Sequence, residues 1–106
     1  MNQSTTFKIA HDAYKKSKEI YTDSLVSCYL YGSYARGDYD NESDVNVLLI
    51  IDVENNTIHD KDKELAHISN QLSLKYGITV TIKITSRQLF DSFVFDDIRA
   101  EGVVIN

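Results

Sequence analysis

Two apolar runs separated by a short polar loop place the strongest constraint on the fold of this 106-residue chain. The first, Leu25–Tyr31, is long enough for one buried strand, and the second, residues 44–52, is almost continuously aliphatic from Val47 to Ile51. A strand without polar alternation must be covered on both faces. We therefore expect the second run to lie at the centre of a sheet.

Helical periodicity predicts two longer helices around this pair of strands. The first begins at a hydroxyl cap within residues 4–6 and runs to about Tyr21. The second covers about residues 58–76 and ends at Gly77, a residue type that suits the left-handed turn after a helix. Each helix carries an apolar stripe that can cover the sheet.

Residues 78–84 alternate strictly between apolar and polar side chains and predict a third strand. Its isoleucines and Val80 should face the core, whereas Thr79, Thr81 and Lys83 should face the opposite way. These strands and helices together predict an α/β fold with a mixed three- to four-stranded sheet flanked by helices.

The C-terminal part of the chain predicts only short elements. A capping box at residues 85–88 opens a helix that should turn Leu89, Phe90 and Phe93 inward. A last helical turn over residues 96–101 and a short edge strand should follow.

Length and composition limit the classes of function. We expect 106 residues to form one domain, with no room for a separate substrate-binding domain. The 16 acidic residues outnumber the 11 basic ones, which argues against nucleic acid as the main partner, because its binding relies on clustered Lys and Arg. No apolar run is long enough to span a bilayer, so no membrane association is expected. Cys28 is the only cysteine, which fits a reducing cytoplasm, and a homo-oligomer remains open.

The loop between the first two strands carries the candidate site. Gly32 has no Cβ, so the backbone can turn sharply there and approach a ligand closely. Ser33 can cap a short helical turn that Gly37 ends, which presents free backbone N–H groups suited to phosphate. Asp44 and Asn46 share one face at the entrance of the second strand, because strand side chains alternate.

This stretch resembles the catalytic signature of the minimal nucleotidyltransferases, small members of the DNA polymerase beta superfamily. Their signature is Gly-Ser, ten residues, then Asp-x-Asp, often with Ala-Arg-Gly after the Gly-Ser. Here Gly32, Ser33, residues 35–37, the spacing and Asp44 match, and Asn46 stands where the signature has its second Asp. Because the spacing lies in a strand–turn–strand context, the match is more specific than a lone glycine loop.

The resemblance implies a nucleotidyltransferase-like core that binds ATP and Mg²⁺. By this resemblance, Gly32 and Ser33 hold the triphosphate tail, and Asp44 and Asn46 occupy the positions that hold the metal and carry catalysis. Mg²⁺ is usually bound by one or two carboxylates together with phosphate oxygens and water.

Arg36 has two interpretations of equal weight. It either neutralises a phosphate of the nucleotide or forms a surface ion pair with Asp38 or Asp40.

Two departures from the family pattern remove negative charge from the site. The amide of Asn46 supplies no charge and cannot act as a base. The third carboxylate of the family belongs on the face of residues 78–84 that carries Thr79, Thr81 and Lys83, none of which is acidic. Because one electrostatic contribution to such a transition state is worth about 3–4 kcal/mol, losing several would suppress transfer by orders of magnitude. An Asp-to-Asn substitution made to trap a complex would explain the first departure.

A carboxylate from the loop offers another explanation, in which Asp38, Asp40 or Glu42 completes the acidic set.

Two functions follow from the resemblance. In the first, the chain transfers a nucleoside monophosphate, with AMP expected, from Mg-ATP to a hydroxyl of a partner protein. The resemblance implies a HEPN-type partner, because small family members often act as antitoxins of such proteins. In the second, it is a catalytically degenerate antitoxin or binding module that neutralises such a partner by occlusion. The simplest alternative to both is a β-hairpin whose Gly-Ser and Asp residues have no functional role.

Overall fold

The centre of the fold is a four-stranded sheet. The computed structural model describes residues 3–53, 58 and 60–105. The strands are β1 (Leu25–Tyr31), β2 (Val45–Ile51), β3 (Val80–Ser86) and β4 (Val103–Val104). Their order is β3-β2-β1-β4, with β1 antiparallel to both β2 and β4, and β3 parallel to β2. This arrangement confirms the predicted α/β fold with a mixed sheet.

Helices cover both faces of the sheet. They are α1 (Gln3–Tyr21), α2 (Ser33–Arg36), α3 (Asp62–Tyr76), α4 (Arg87–Phe90) and α5 (Asp96–Glu101). The long helices α1 and α3 pack on one face, and the short helices α4 and α5 lie on the other. In the described ranges, no helix combines the length and the apolar character that crossing a membrane requires.

The side chains of β2 supply both cores, as the unbroken apolar run predicts. Val47, Leu49 and Ile51 belong to the large core under α1 and α3. Leu48 and Ile50 point the other way and pack with Phe90 in a smaller core under α4 and α5. Burying such an aliphatic side chain contributes about 1.5–3 kcal/mol, so β2 anchors both layers.

Two serines of α3 fix this helix to the edge strand β3. The Ser73 hydroxyl accepts a hydrogen bond from the Val80 N–H at 2.9 Å, and the Ser69 hydroxyl donates to the Val80 carbonyl. Ser73 also donates to the Ser69 carbonyl at 2.8 Å. The outward-facing backbone groups of Val80 are therefore satisfied although β3 has no further strand beside it.

Several predicted boundaries are wrong by a few residues. Helix α1 already begins at Gln3, so the hydroxyls of residues 4–6 lie inside it rather than capping it. Helix α3 begins at Asp62 instead of residue 58, while residues 54–57 of the predicted turn before it lie outside the described residues. Gly77 closes α3 in the left-handed conformation, as predicted (φ 68°).

The sequence predicts the third strand over residues 78–84, whereas β3 covers Val80–Ser86. The helix that follows is capped by Ser86 rather than by Thr85. The Ser86 hydroxyl accepts a hydrogen bond from the Leu89 N–H at 3.1 Å. The strand extends to the capping residue because β3 stays paired with β2 as far as Ile51 and Ser86.

The prediction that Leu89 and Phe93 point inward is wrong. Leu89 is 47% exposed and Phe93 is 82% exposed, whereas Phe90 is buried. Helix α4 ends at Phe90, and the short 3-10 turn Phe93–Phe95 that follows places Phe95, not Phe93, against Phe90, with ring centroids 5.7 Å apart.

Truncating Phe90 and Phe93 to alanine should therefore have different effects on stability. Phe90→Ala removes a buried ring that also packs on the Tyr29 ring, with ring centroids 5.2 Å apart. It should lower the free energy of unfolding by about 3–5 kcal/mol. Phe93→Ala should change it by less than about 0.5 kcal/mol. Denaturant unfolding measures both values, and equal losses would show that Phe93 packs inward after all.

Candidate functional site

The pairing of β1 with β2 creates the site. Its last antiparallel pair joins Tyr31 to Asn46, and the chain leaves β1 at Gly32 directly beyond that pair. Asp44 lies just before β2 and shares the strand face of Asn46. That face is the one covered by α4 and α5, because Leu48 and Ile50 follow on the same side.

The side chain of Asn46 fills the space that a Cβ on Gly32 would need. Gly32 has φ 86° and ψ −156°, and a Cβ placed on it would lie only 2.9 Å from Nδ2 of Asn46. Only glycine fits here without strain, because the backbone turns with positive φ and the amide of Asn46 occupies the space above it. The structure thus brings the Gly-Ser corner and the entrance of β2 to the same place.

Ser33 does not cap α2, contrary to the sequence prediction. Gly32 is the capping residue, and its carbonyl accepts hydrogen bonds from the N–H groups of Ala35 and Arg36 at 3.1 Å each. Ser33 is the first residue of α2, and within the described part of the chain its half-buried hydroxyl makes no hydrogen bond. Gly37 ends α2 in the left-handed conformation, as predicted.

Of the two predicted interpretations of Arg36, the structure shows the surface ion pair. Its Nε lies 3.2 Å from Asp38 Oδ2, and its Nη1 lies 3.6 Å from Glu101 Oε2 at the end of α5. The hydrogen bond and charge of Asp38 raise the pKa of the guanidinium. Both contacts are exposed, and exposed ion pairs are weak, so a contact of Arg36 with phosphate stays a prediction.

The acidic loop residues do not join Asp44 in a metal-binding group. Asp38 is held by Arg36, and Asp40 Oδ1 accepts hydrogen bonds from the Glu42 N–H at 2.9 Å and the Ser43 hydroxyl at 3.3 Å. Among the described residues, no three His, Cys, Asp or Glu side chains are grouped so that they could hold a metal ion. The suggestion that a loop carboxylate completes the acidic set therefore finds no support in the geometry.

Tyr34 is a buried residue that packs against the loop between α2 and β2. It is 2% exposed, belongs to the large core and stacks on Tyr39 with ring centroids 4.5 Å apart. Burial raises the pKa of the Tyr34 phenol, and the neighbouring Tyr39, Asp40 and Asp44 raise it further. Asp44 is thus one of the charges that act on the Tyr34 phenol.

The register of β3 decides what stands beside Asn46. Thr81 pairs with Asn46 and Lys83 pairs with Leu48, so both side chains lie on the face of the site, as predicted for this strand. The donor set is therefore one carboxylate (Asp44), one amide and one hydroxyl. It suits a single Mg²⁺ that is also bound by phosphate oxygens and water, and it does not suit two closely spaced ions.

Sequence reasoning missed two features of the site. It did not place Glu101 beside Arg36, because α5 reaches α2 only through tertiary packing and the two residues are far apart in the chain. It also gave no sign that Tyr34, within the four-residue helix α2, is the tyrosine of the loop region that is buried.

The chain belongs to the nucleotidyltransferase domain family, whose model matches residues 13–103. MJ0141 of Methanocaldococcus jannaschii is 40% identical to this chain over 91 residues. Its name describes it as a protein adenylyltransferase. That alignment covers 86% of this chain and 89% of the relative.

Solved structures share the fold. A Sulfolobus solfataricus protein assigned as a nucleotidyltransferase has a TM-score of 0.69 and 19% identity, over 96% of this chain and 80% of the other. The structure of a toxin–antitoxin with AMP-PNP has a TM-score of 0.59 and 16% identity, over 91% of this chain and 72% of the other. At these identities the likeness concerns the fold alone.

Alanine at Gly32 should disturb the site in a way that alanine at Gly37 does not. Both glycines flank α2 with positive φ (86° and 89°), so both variants should lose stability. Gly37 is in the left-handed region and Gly37→Ala should cost about 1–2 kcal/mol, whereas Gly32, with ψ −156°, is in a region that essentially only glycine adopts, so Gly32→Ala should cost more. A Cβ at Gly37 meets only the Gln3 side chain at 3.7 Å, whereas one at Gly32 must displace the Asn46 amide.

We therefore expect Gly32→Ala to weaken binding of AMP-PNP and Gly37→Ala to leave it unchanged, as measured by titration calorimetry. Equal affinities of the two variants would mean that the close approach of Asn46 to Gly32 does not shape the nucleotide site.

Proposed function

We propose that this nucleotidyltransferase-family chain binds Mg-ATP at the corner formed by Gly32, Ser33, Asp44 and Asn46 and transfers a nucleoside monophosphate, AMP, to a hydroxyl of a partner protein. The hydroxyl oxygen bonds to the α-phosphorus, the bond between the α- and β-phosphates breaks, and pyrophosphate and the hydroxyl proton leave to solvent. The observation that carries the proposal is the close approach of the Asn46 side chain to Gly32, which unites the phosphate-binding turn with the metal-binding end of β2. The similarity to MJ0141 supports a protein as the acceptor and adenylyl as the group transferred.

The residues of the corner have separate roles in this proposal. The free hydroxyl of Ser33 donates a hydrogen bond to an oxygen of the triphosphate, and Arg36 exchanges its exposed carboxylate contacts for a phosphate. Asp44 and the amide oxygen of Asn46 would hold Mg²⁺, which supplies positive charge to the phosphates when it is bound. The nucleotide is thus positioned by the end of β1, the start of β2 and the turn at Gly32 and Ser33.

The partner in this proposal is a HEPN-type protein. The fold shared with a toxin–antitoxin structure that contains AMP-PNP supports a protein complex and an adenine nucleotide. We place the single catalytic domain across residues 1–106, in the cytoplasm, where the buried thiol of Cys28 stays reduced.

The charge of the site favours a second candidate function, neutralisation of the partner by occlusion without catalysis. Asp44 supplies a carboxylate at the entrance of β2, but its neighbour Asn46 is neutral, and Thr81 and Lys83 stand on the adjacent positions of β3. A site that lacks several carboxylates loses most of its transition-state stabilisation, whereas its shape and its nucleotide contacts persist.

An adenylylation assay separates the two candidates. The purified chain is incubated with Mg²⁺, ATP labelled at the α-phosphate and the protein encoded beside it. Transfer predicts label on that protein, and Asn46→Asp should accelerate labelling by about 100-fold or more, because it restores a carboxylate at the isosteric position. Asp44→Asn is the matched control and should abolish the label.

Absence of label with both the native chain and Asn46→Asp, while the two proteins still form a complex, would overturn transfer and leave occlusion.

A further inference from the structure

We infer that the site binds nucleotide phosphate through donors of its own, Lys83 and the amide nitrogen of Asn46, and holds a single divalent ion at Asp44. This inference rests on the proposed function, because it concerns how the same site takes the nucleotide. The inference starts from one difference: the side chains at this site carry fewer carboxylates than a site for two metal ions requires.

The first step is the position of Lys83. In the parallel register of β2 and β3, Thr81 stands beside Asn46, and Lys83 follows one side-chain step further along the same face. Its Cα lies diagonally about 8 Å from that of Asn46, given the usual spacings of a sheet. A lysine side chain is long enough to span most of that distance, so its ammonium can reach the space above Asn46, where the phosphates of a nucleotide held by Gly32 and Ser33 would lie.

The second step is the orientation of the Asn46 amide. Its nitrogen, Nδ2, is the atom nearest to the position of a Cβ on Gly32, at 2.9 Å, whereas Cγ is 3.8 Å away. The amide thus presents its N–H groups toward the Gly-Ser corner. An N–H group donates to a phosphate oxygen and cannot ligate a metal ion, so only the amide oxygen of Asn46 remains to support the single ion at Asp44.

The third step is that these donors have no partner within the protein. In the ranges that the structure describes, neither the Asn46 amide nitrogen nor the Lys83 ammonium takes part in a hydrogen bond or an ion pair. Lys83 is exposed, because β3 is an edge strand. The two groups are therefore free to bind an anion without breaking an existing contact.

The fourth step is the balance of charge. A two-ion clamp needs several carboxylates to hold the second ion. Among the residues that the structure describes, no three acidic, His or Cys side chains are grouped so that they could hold a metal ion, and the neighbour of Asp44 on its face is the neutral Asn46. One Mg²⁺ together with the Lys83 ammonium supplies three positive charges against a triphosphate. Charge-assisted hydrogen bonds of this kind are about twice as strong as neutral ones, so Lys83 takes over part of the neutralisation that a second ion would give.

Binding of AMP-PNP, followed by calorimetry with and without Mg²⁺, tests the role of Lys83. Lys83→Ala should weaken binding about tenfold or more, and Lys83→Arg, which keeps the charge, should recover most of the affinity. Lys15→Ala is the matched control, because Lys15 is an exposed lysine on α1, which packs against the opposite face of the sheet, and its removal should leave the affinity unchanged.

The number of ions is tested with Mn²⁺ and electron paramagnetic resonance on the complex with AMP-PNP. We expect one tightly bound Mn²⁺ per nucleotide in the native chain and a second one in Asn46→Asp. Without metal, Asn46→Asp should bind the nucleotide about tenfold more weakly than the native chain, because a donor has become a negative charge.

The results distinguish this inference from the proposed function. If Lys83→Ala binds AMP-PNP as tightly as the native chain, Lys83 extends instead toward the groove that it borders between β3 and α3, and the inference is overturned. Two tight Mn²⁺ ions in the native complex would overturn it as well. If the native chain with Mg²⁺ fails to bind AMP-PNP at all, the proposed function itself fails.

Discussion

The antiparallel register of β1 and β2 is the constraint on which the site depends. It ends with Tyr31 beside Asn46, so the chain leaves β1 at Gly32 directly over the amide of Asn46. A slip of one residue would turn Asn46 toward the opposite face, under α1, and would separate the turn from the strand end. The buried aliphatic side chains of β2 prevent such a slip, because they are divided between two different cores.

The sequence predicted what local pattern and period control. The limits of β1, the central position of β2 and the left-handed turns at Gly37 and Gly77 are as expected, because each depends on apolar runs or on glycine at a required conformation. The face of β3 that carries Thr81 and Lys83 was also predicted, since strict alternation assigns the two faces once the apolar one is buried.

Features that depend on tertiary packing were not predictable in this way. Phe93 is apolar but exposed, because α4 is only four residues long and the next turn directs Phe95 inward instead. Arg36 meets Glu101 because α5 ends beside α2, which no short-range pattern indicates. The amide of Asn46 was visible in the sequence, but its direction toward Gly32 required coordinates.

The two serine hydroxyls of α3 that bond to Val80 have a consequence for assembly. They occupy the backbone groups with which a foreign strand would begin to pair at the edge of β3. The next outward-facing groups belong to Ile82 and Ile84, after which the chain turns into α4 at Ser86. At this edge of the sheet, a strand of another molecule has only this short stretch to pair with, which limits ribbon-like aggregation through β3.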